Sequence, residues 1–231
     1  MLDSPPTRSS TNDAQAFYGK WARLYDLIAS RTPGIRRFRR RVVDSCQLDE
    51  GDTVVEFGCG TGANLSYLRE AVGADGRVVG IDFTRRVLDQ GRRRMRHADN
   101  VHLVHGDATT PPLGNDVEID AVVGTFVVGM LADPGAAVDD WCDLVRAGGR
   151  VVLANAARSE RWYGPAVNGL FGAIVRVSTP PATRLRYDED LTGKLDRRIT
   201  TAHDRLRARG PTSEHTAYLG LVRLTGATVG D

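Results

Sequence analysis

The sequence predicts an α/β protein built on a doubly wound, mostly parallel sheet, and three observations carry that expectation. Short β-branched runs alternate with helix-period segments from Thr53 to Ala154, the pattern of strand–helix–strand crossovers. The first run, Thr53-Val54-Val55-Glu56-Phe57, opens into Gly58-Cys59-Gly60-Thr61-Gly62 and then a helix-like stretch. Glycine at alternate positions there supplies positive φ and an open backbone where strand turns into helix. Two later runs end in Asp82 and in Asp107-Ala108, so acidic residues gather where an open parallel sheet binds its ligand.

Taken in order, residues 1–11 are rich in Ser, Thr, Pro and Asp and read as a disordered tail. Residues 12–50 read as a helical cap. Phe17, Trp21, Leu24 and Ile28 recur at helical spacing, with Tyr18 and Tyr25 on the flank, until Pro33-Gly34 breaks the pattern. Ile35, Phe38, Val42 and Cys46 mark a second helix, whose other face carries Arg36, Arg37, Arg39, Arg40 and Arg41 as a solvated run. The core, residues 52–155, starts with the strand Thr53–Phe57 and a helix from Asn64 to Ala71, with Gly73 at its C′ position. Strand Arg77–Ile81 ends in Asp82. Thr84 caps a helix holding Val87, Leu88 and Met95 among Arg85, Arg86, Arg92, Arg93, Arg94 and Arg96. Strands Val101–His105 and Asp120–Phe126 follow, then Asp133-Pro134 as N-cap and N1 of a helix with Val138, Trp141, Leu144 and Val145. Gly148-Gly149 ends it before strand Arg150–Ala154.

Residues 156–231 depart from this rhythm. Trp162–Val177 is apolar and glycine-spotted, either a lid or plain core. Asp188–Arg209 is polar and largely helical, with a short strand open within Arg198–Leu206, and Thr216–Val229 reads as a final, antiparallel strand. The whole is expected to be one domain.

Composition narrows the function classes. A chain of 231 residues with 41% hydrophobic and 26% charged residues supports one sizeable core. A net charge of +2 gives no global electrostatic case for nucleic-acid binding. Cys46, Cys59 and Cys142 lie far apart, which fits a reducing compartment and gives neither a disulfide framework nor a metal site. The polar start lacks an apolar leader, and no uncharged apolar run has the length of a membrane span, so a cytoplasmic protein is expected.

The strand ends point to an adenosine-containing ligand. Asp82 lies about twenty residues beyond the loop, the spacing at which a carboxylate accepts both ribose hydroxyls. Asp107 can accept from an exocyclic amine while the Ala108 backbone meets a ring nitrogen. Gly58, Gly60 and Ala63 satisfy G-x-G-x-x-[G/A], which keeps an NAD(P)-binding oxidoreductase open. Glu56 counts against it, because a carboxylate just before the turn repels a pyrophosphate and suits a ligand bearing an ammonium and a sulfonium.

The order Val-Val-Glu-Phe-Gly-Cys-Gly-Thr-Gly, Gly80-Ile81-Asp82, Gly106-Asp107-Ala108, Asp120-Ala121-Val122-Val123 and Arg146-Ala147-Gly148-Gly149-Arg150 resembles the class I S-adenosylmethionine-dependent methyltransferases. Arg146-Ala147 stands where relatives often have Lys-Pro, a change confined to a turn. The resemblance implies that Glu56, Gly58, Gly60 and Gly62 face the methionine end, Asp82 the ribose diol, and Asp107 with Ala108 the adenine, with Cys59, Asn64, Phe83 and Thr125 as further cofactor-binding residues. Phe17-Tyr18-x-x-Trp21-Ala22-x-x-Tyr25-Asp26 is similar to the opening segment of the ubiquinone/menaquinone C-methyltransferases and related phospholipid N-methyltransferases, which implies Tyr18 and Tyr25 as site residues; packing as core is the equal alternative.

Methyl transfer asks the protein mainly to position and desolvate, and no catalytic base stands out. His102 and His105 share a strand face and read as structural. Thr125-Phe126-Val127-Val128-Gly129-Met130 lacks the Asn-Pro-Pro-Tyr pattern of adenine-N6 or glutamine methylation. Together the apolar segment and the arginine clusters favour a small lipophilic acceptor, quinone or phospholipid-like, with peripheral contact to an anionic membrane surface. A non-catalytic S-adenosylmethionine-binding protein is the other alternative. The oligomeric state is not legible.

Overall fold

The computed structural model describes residues 33–114, 117–156, 158–159, 161–169 and 191–230. The first expected helix, with Tyr18 and Tyr25, lies outside them, as does most of the apolar segment after Gly169. Helix α1 (Ile35–Asp44) leads into strand β1 (Thr53–Phe57), α2 (Leu65–Val72), β2 (Arg77–Asp82), α3 (Arg85–Arg94), β3 (Val101–His105) and β4 (Ala121–Thr125). A 3₁₀ turn (Val128–Met130), α4 (Pro134–Leu144), β5 (Arg150–Ala156), α5 (Leu191–Arg207), β6 (Thr212–Ala217) and β7 (Val222–Thr228) complete the order.

The strands form one sheet in the order β3-β2-β1-β4-β5-β7-β6. Strands β1 to β5 pair in parallel, β7 is antiparallel to β5, and β6 is antiparallel to β7. The doubly wound reading therefore holds, with the chain winding one way from β1 to β3 and the other way from β4 onward. Its reversal point lies between β1 and β4.

Both faces are covered, which is why the central strands are apolar throughout rather than alternating. Val54 packs with Phe38, Val42, Leu65, Leu68 and Leu88 on the face covered by α1, α2 and α3. Val55 and Phe57 pack with Trp141, Val138, Ile199 and Leu206 on the face covered by α4 and α5. Asp133 caps α4 by accepting the Ala136 N–H at 3.0 Å, with Pro134 at N1.

Two expectations change in the C-terminal part. Residues 198–206 are helical without interruption, because Ile199, Ala202 and Leu206 face the sheet as one stripe of α5. The final strand is a hairpin, β6 and β7, turned by Tyr218–Gly220. His203 is a core residue, with its Nδ1 2.8 Å from Thr225 Oγ1 and burial pushing its pKa down to about 3. Arg150, also buried, ties the hairpin to α1 by donating to the Ser45 carbonyl at 3.2 Å and to Thr228 Oγ1 at 2.7 Å.

Packing is close under β4. Trp141 stacks on Phe57 with centroids 4.7 Å apart and an interplanar angle of 22°, a pairing worth about 1 kcal/mol beyond the area buried. A Cβ at Gly124 would stand 2.7 Å from Trp141 Cζ3. Gly124→Ala should therefore destabilise the protein by about 1–3 kcal/mol in urea unfolding; an unchanged midpoint would show that the indole yields freely.

Candidate functional site

The carboxyl ends of the parallel strands form one edge, and the sheet's reversal between β1 and β4 opens a crevice there. Glu56, next to last in β1, alternates with Phe57 and so points to the face under α1 and α2. It is 2% exposed. Its Oε1 accepts from Asn64 Nδ2 at 2.6 Å, and the same nitrogen donates to Thr125 Oγ1 at 3.0 Å. Asn64, the residue before α2, thus bridges the tips of β1 and β4 across the crevice. Its Oδ1 accepts from Arg39 Nη1 of α1. The second carboxylate oxygen of Glu56 is buried without a hydrogen-bond partner among the described residues.

That half-satisfied carboxylate has an electrostatic consequence. Burial pushes the Glu56 carboxyl up to about 7, while the Asn64 hydrogen bond and the Arg39 charge pull it down and Asp82 opposes them. A cation beside the unpartnered oxygen would supply the missing stabilisation of the charged form.

The glycine loop leaves room for such a ligand. Gly58, Gly60 and Gly62 all have positive φ, at 66°, 55° and 75°. At Gly58 a Cβ would meet Val127 Cβ at 2.8 Å, so the glycine lets the β4 tip approach. At Gly60 nothing among the described residues lies within 4 Å of an added Cβ, so they leave the backbone open. Cys59 is buried, its Sγ 2.9 Å from where a Gly80 Cβ would stand, and burial pushes its thiol well above the usual range. Its side chain is packing under the loop; only its backbone is available to a ligand.

Asp82 lies one strand over. Its Oδ2 accepts the Gly60 N–H at 2.9 Å and its Oδ1 accepts the Thr84 N–H at 2.7 Å. The carboxylate therefore ties the glycine loop to the start of α3, and Thr84 caps that helix without a side-chain hydrogen bond. Burial raises the Asp82 pKa, with these backbone donors opposing. Phe83 is 39% exposed and stacks on His105 at 6.3 Å, and His105 Nε2 sits 2.9 Å from the Phe83 carbonyl. His105 is thereby occupied in shaping this end of the crevice. Asp107 is exposed and its Oδ1 accepts from the Thr109 N–H and hydroxyl, at 2.9 and 2.8 Å. The Ala108 carbonyl accepts from Trp141 Nε1 at 2.8 Å, which anchors this loop to the core.

The structure brings Glu56, Asn64, Thr125, the glycine loop and Asp82 together, with Phe83, Asp107 and Ala108 farther along the edge. It corrects the reading of Arg39, which is 7% exposed and belongs to the site rather than to a solvated arginine face. Arg36, Arg37, Arg40 and Arg41 are exposed as expected. The signal was present in the spacing: Arg39 follows Ile35 by four and precedes Val42 by three, which places it on the apolar stripe. Among the described residues, no group of three or more His, Cys, Asp or Glu is gathered as for a metal ion, and no helix is long and apolar enough to cross a membrane.

If Arg39 holds Asn64 in register, Arg39→Met should cost about 2 kcal/mol in urea unfolding through loss of a buried, charge-assisted hydrogen bond. A variant as stable as the wild type would remove Arg39 from the network.

Comparisons with known proteins bear on the family and the fold. A family model described as "Methyltransferase domain" matches residues 54–149. The chain is 30% identical over 159 residues to the demethylmenaquinone methyltransferase of Staphylococcus saprophyticus subsp. saprophyticus, covering 68% of this chain and 67% of that protein. It is 32% identical over 139 residues to the demethylmenaquinone methyltransferase of Staphylococcus aureus (strain Newman), covering 60% of this chain and 56% of that protein. It also matches a 37.1 kDa protein of transposon TN4556 from Streptomyces fradiae, at 34% identity over 53% of this chain and 35% of that one. Against several of these relatives the chain thus spans less than two thirds of their length. In fold it is similar to an S-adenosyl-L-methionine-dependent methyltransferase structure from Methanococcus maripaludis, with a TM-score of 0.63, 15% identity, and coverage of 100% of this chain and 98% of that one. The N-methyltransferase of Bradyrhizobium japonicum solved with S-adenosyl-L-homocysteine gives a TM-score of 0.58 at 14% identity, covering 88% and 91%. From the motif order, the sheet topology and a relative matched over two thirds of its length, this chain belongs to the class I S-adenosylmethionine-dependent methyltransferase family.

Proposed function

We propose that this protein transfers the methyl group of S-adenosylmethionine to a small lipophilic acceptor of quinone or phospholipid type. The observation that carries the donor half is Glu56, buried at the sheet's reversal point with one oxygen held by Asn64 and the other unpartnered. The ammonium of the donor's methionine part would complete that carboxylate. Asp82 would meet the ribose and continue to hold the loop, Phe83 would flank it, and Asp107 with the Ala108 backbone would read the adenine. Asn64 and Thr125 act as positioning residues.

The donor brings a methyl carbon already activated by its sulfonium. The chain's contribution is to orient that carbon and exclude water, which needs no strong base. Kinship to demethylmenaquinone methyltransferases supports a quinone acceptor, and the exposed arginines of α1 and α3 support contact with an anionic surface. The residues form one domain in this reading, with the C-terminal part closing the acceptor side. Transfer of labelled methyl into a short-chain prenyl-1,4-naphthoquinol or a phospholipid extract tests the acceptor class. Donor binding with no turnover on any extract would instead indicate a non-catalytic binding protein.

Two predictions follow from the donor half. Folding raises the Glu56 pKa from 4.5 to about 7, so the ligand-free folded protein retains a proton that the unfolded chain has released. Its stability should therefore fall as pH rises from about 4.5 to 7, by up to about 3 kcal/mol, and level off above. Donor affinity should run the opposite way, increasing toward pH 7 with proton release seen by calorimetry in buffers of different ionisation enthalpy. Affinity independent of pH across that window would separate Glu56 from the donor. Asp82→Ala should weaken donor binding by about 1–3 kcal/mol; unchanged affinity would remove Asp82 from the site.

A further inference from the structure

The carboxyl edge continues beyond β4 and β5 to the turn between β6 and β7. Strand β6 runs parallel to β5, since each pairs antiparallel with β7. Val222 pairs with both Ala156 and Ala217, so the Tyr218–Gly220 turn stands level with the end of β5. The backbone here is strained. Among the described residues, the non-glycine residues with positive φ are Gln47, Phe126, Tyr218 and Leu219, and the last three all lie at this edge. Side chains disfavour that conformation, and it persists where the surroundings hold it, often at ligand sites.

Two of the strained residues, Phe126 and Tyr218, form the half-buried edge of an aromatic ledge that the buried ring of Phe38 backs. Tyr218 meets Phe38 edge-on at 5.9 Å, and Phe38 lies 6.1 Å from Phe126. Phe126 follows Thr125 and Phe38 precedes Arg39, so the ledge is continuous with the network around Glu56. The Tyr218 hydroxyl oxygen is buried and has no hydrogen-bond partner among the described residues. Burial raises its pKa while the Arg39 charge pulls it back, which leaves a neutral hydroxyl within the field of the guanidinium that holds Asn64. A buried hydroxyl without a partner is costly unless a ligand completes it.

We propose that Tyr218 is an acceptor-binding residue. Its ring and that of Phe126, backed by the buried Phe38, form the apolar wall over the tips of β4 and β5, and its hydroxyl bonds a hydroxyl or amino group on the methyl acceptor. This rests on the methyltransferase reading, not on the acceptor being lipophilic. With the adenine end at β3 and the methionine end at β1, the methyl group is delivered toward β4 and β5, where the ledge stands. Tyr218 orients the acceptor and takes no proton.

The test is Tyr218→Phe, which keeps the ring. Melting temperature should equal or exceed that of the wild type, since the variant lacks the costly unpartnered hydroxyl, and S-adenosylhomocysteine affinity by calorimetry should match the wild type. Labelled methyl transfer from S-adenosylmethionine into an unfractionated cell extract, at subsaturating extract, should fall about tenfold, the scale of one lost hydrogen bond. Tyr218→Leu, which also removes the wall, should lose more at the same donor affinity. Equal transfer rates for wild type and Tyr218→Phe would overturn the proposal, as would a wild type that labels nothing in the extract. Label appearing only in water-soluble product would defeat the lipophilic acceptor, while the wild-type to variant ratio would still decide the role of Tyr218.

Discussion

A carboxylate buried where the sheet reverses direction sets the terms for the rest of this molecule. Removing Glu56 from water is unfavourable unless its charge is matched, and the fold matches only half of it. Asn64 serves one oxygen, Arg39 fixes Asn64, and Thr125 shares the Asn64 amide, so three elements converge on one side chain. Among the described residues the remaining oxygen faces no donor. A site organised in this way favours a cation and disfavours a phosphate, which separates a methyl donor from a dinucleotide more decisively than the glycine spacing does.

The same network explains why α1 is part of the site rather than an ornament before it. One buried arginine, Arg39, runs from α1 to the N-terminus of α2. Another, Arg150, runs from β5 to the carbonyl of Ser45 just after α1 and on to the hairpin through Thr228. Guanidinium groups thus pin the helix at its middle and just past its C-terminal end. Its Phe38 then carries the aromatic contact to Tyr218, linking the crevice between β1 and β4 to the far hairpin.

Much of this was legible in the sequence. The five parallel strands could be read from their valine-rich runs because strands covered on both faces are apolar throughout, and Asp133-Pro134 announced α4 by its cap chemistry. Glu56, Asp82 and the loop glycines stood out because their types are unusual at strand ends. What escaped reading depends on contacts distant in sequence. Arg39 looked like one more member of an arginine run until the approach of Asn64 from 25 residues away gave it a partner. Ile199-Thr200-Thr201 suggested a strand by β-branching, but packing on the sheet holds them in α5. The hairpin was hidden because its turn uses Tyr218 and Leu219 in a left-handed conformation that turn chemistry normally reserves for glycine or asparagine.

The central claim is that the unpartnered oxygen of Glu56 exists to meet a cationic adenosyl donor. A crystal structure of the protein with S-adenosylmethionine tests it most directly. The account predicts the donor's amino nitrogen within hydrogen-bond distance of Glu56 Oε2, with the ribose hydroxyls at Asp82. A donor bound elsewhere, or one whose amino group lies away from Glu56 while the carboxylate keeps its oxygen unpartnered, would contradict it.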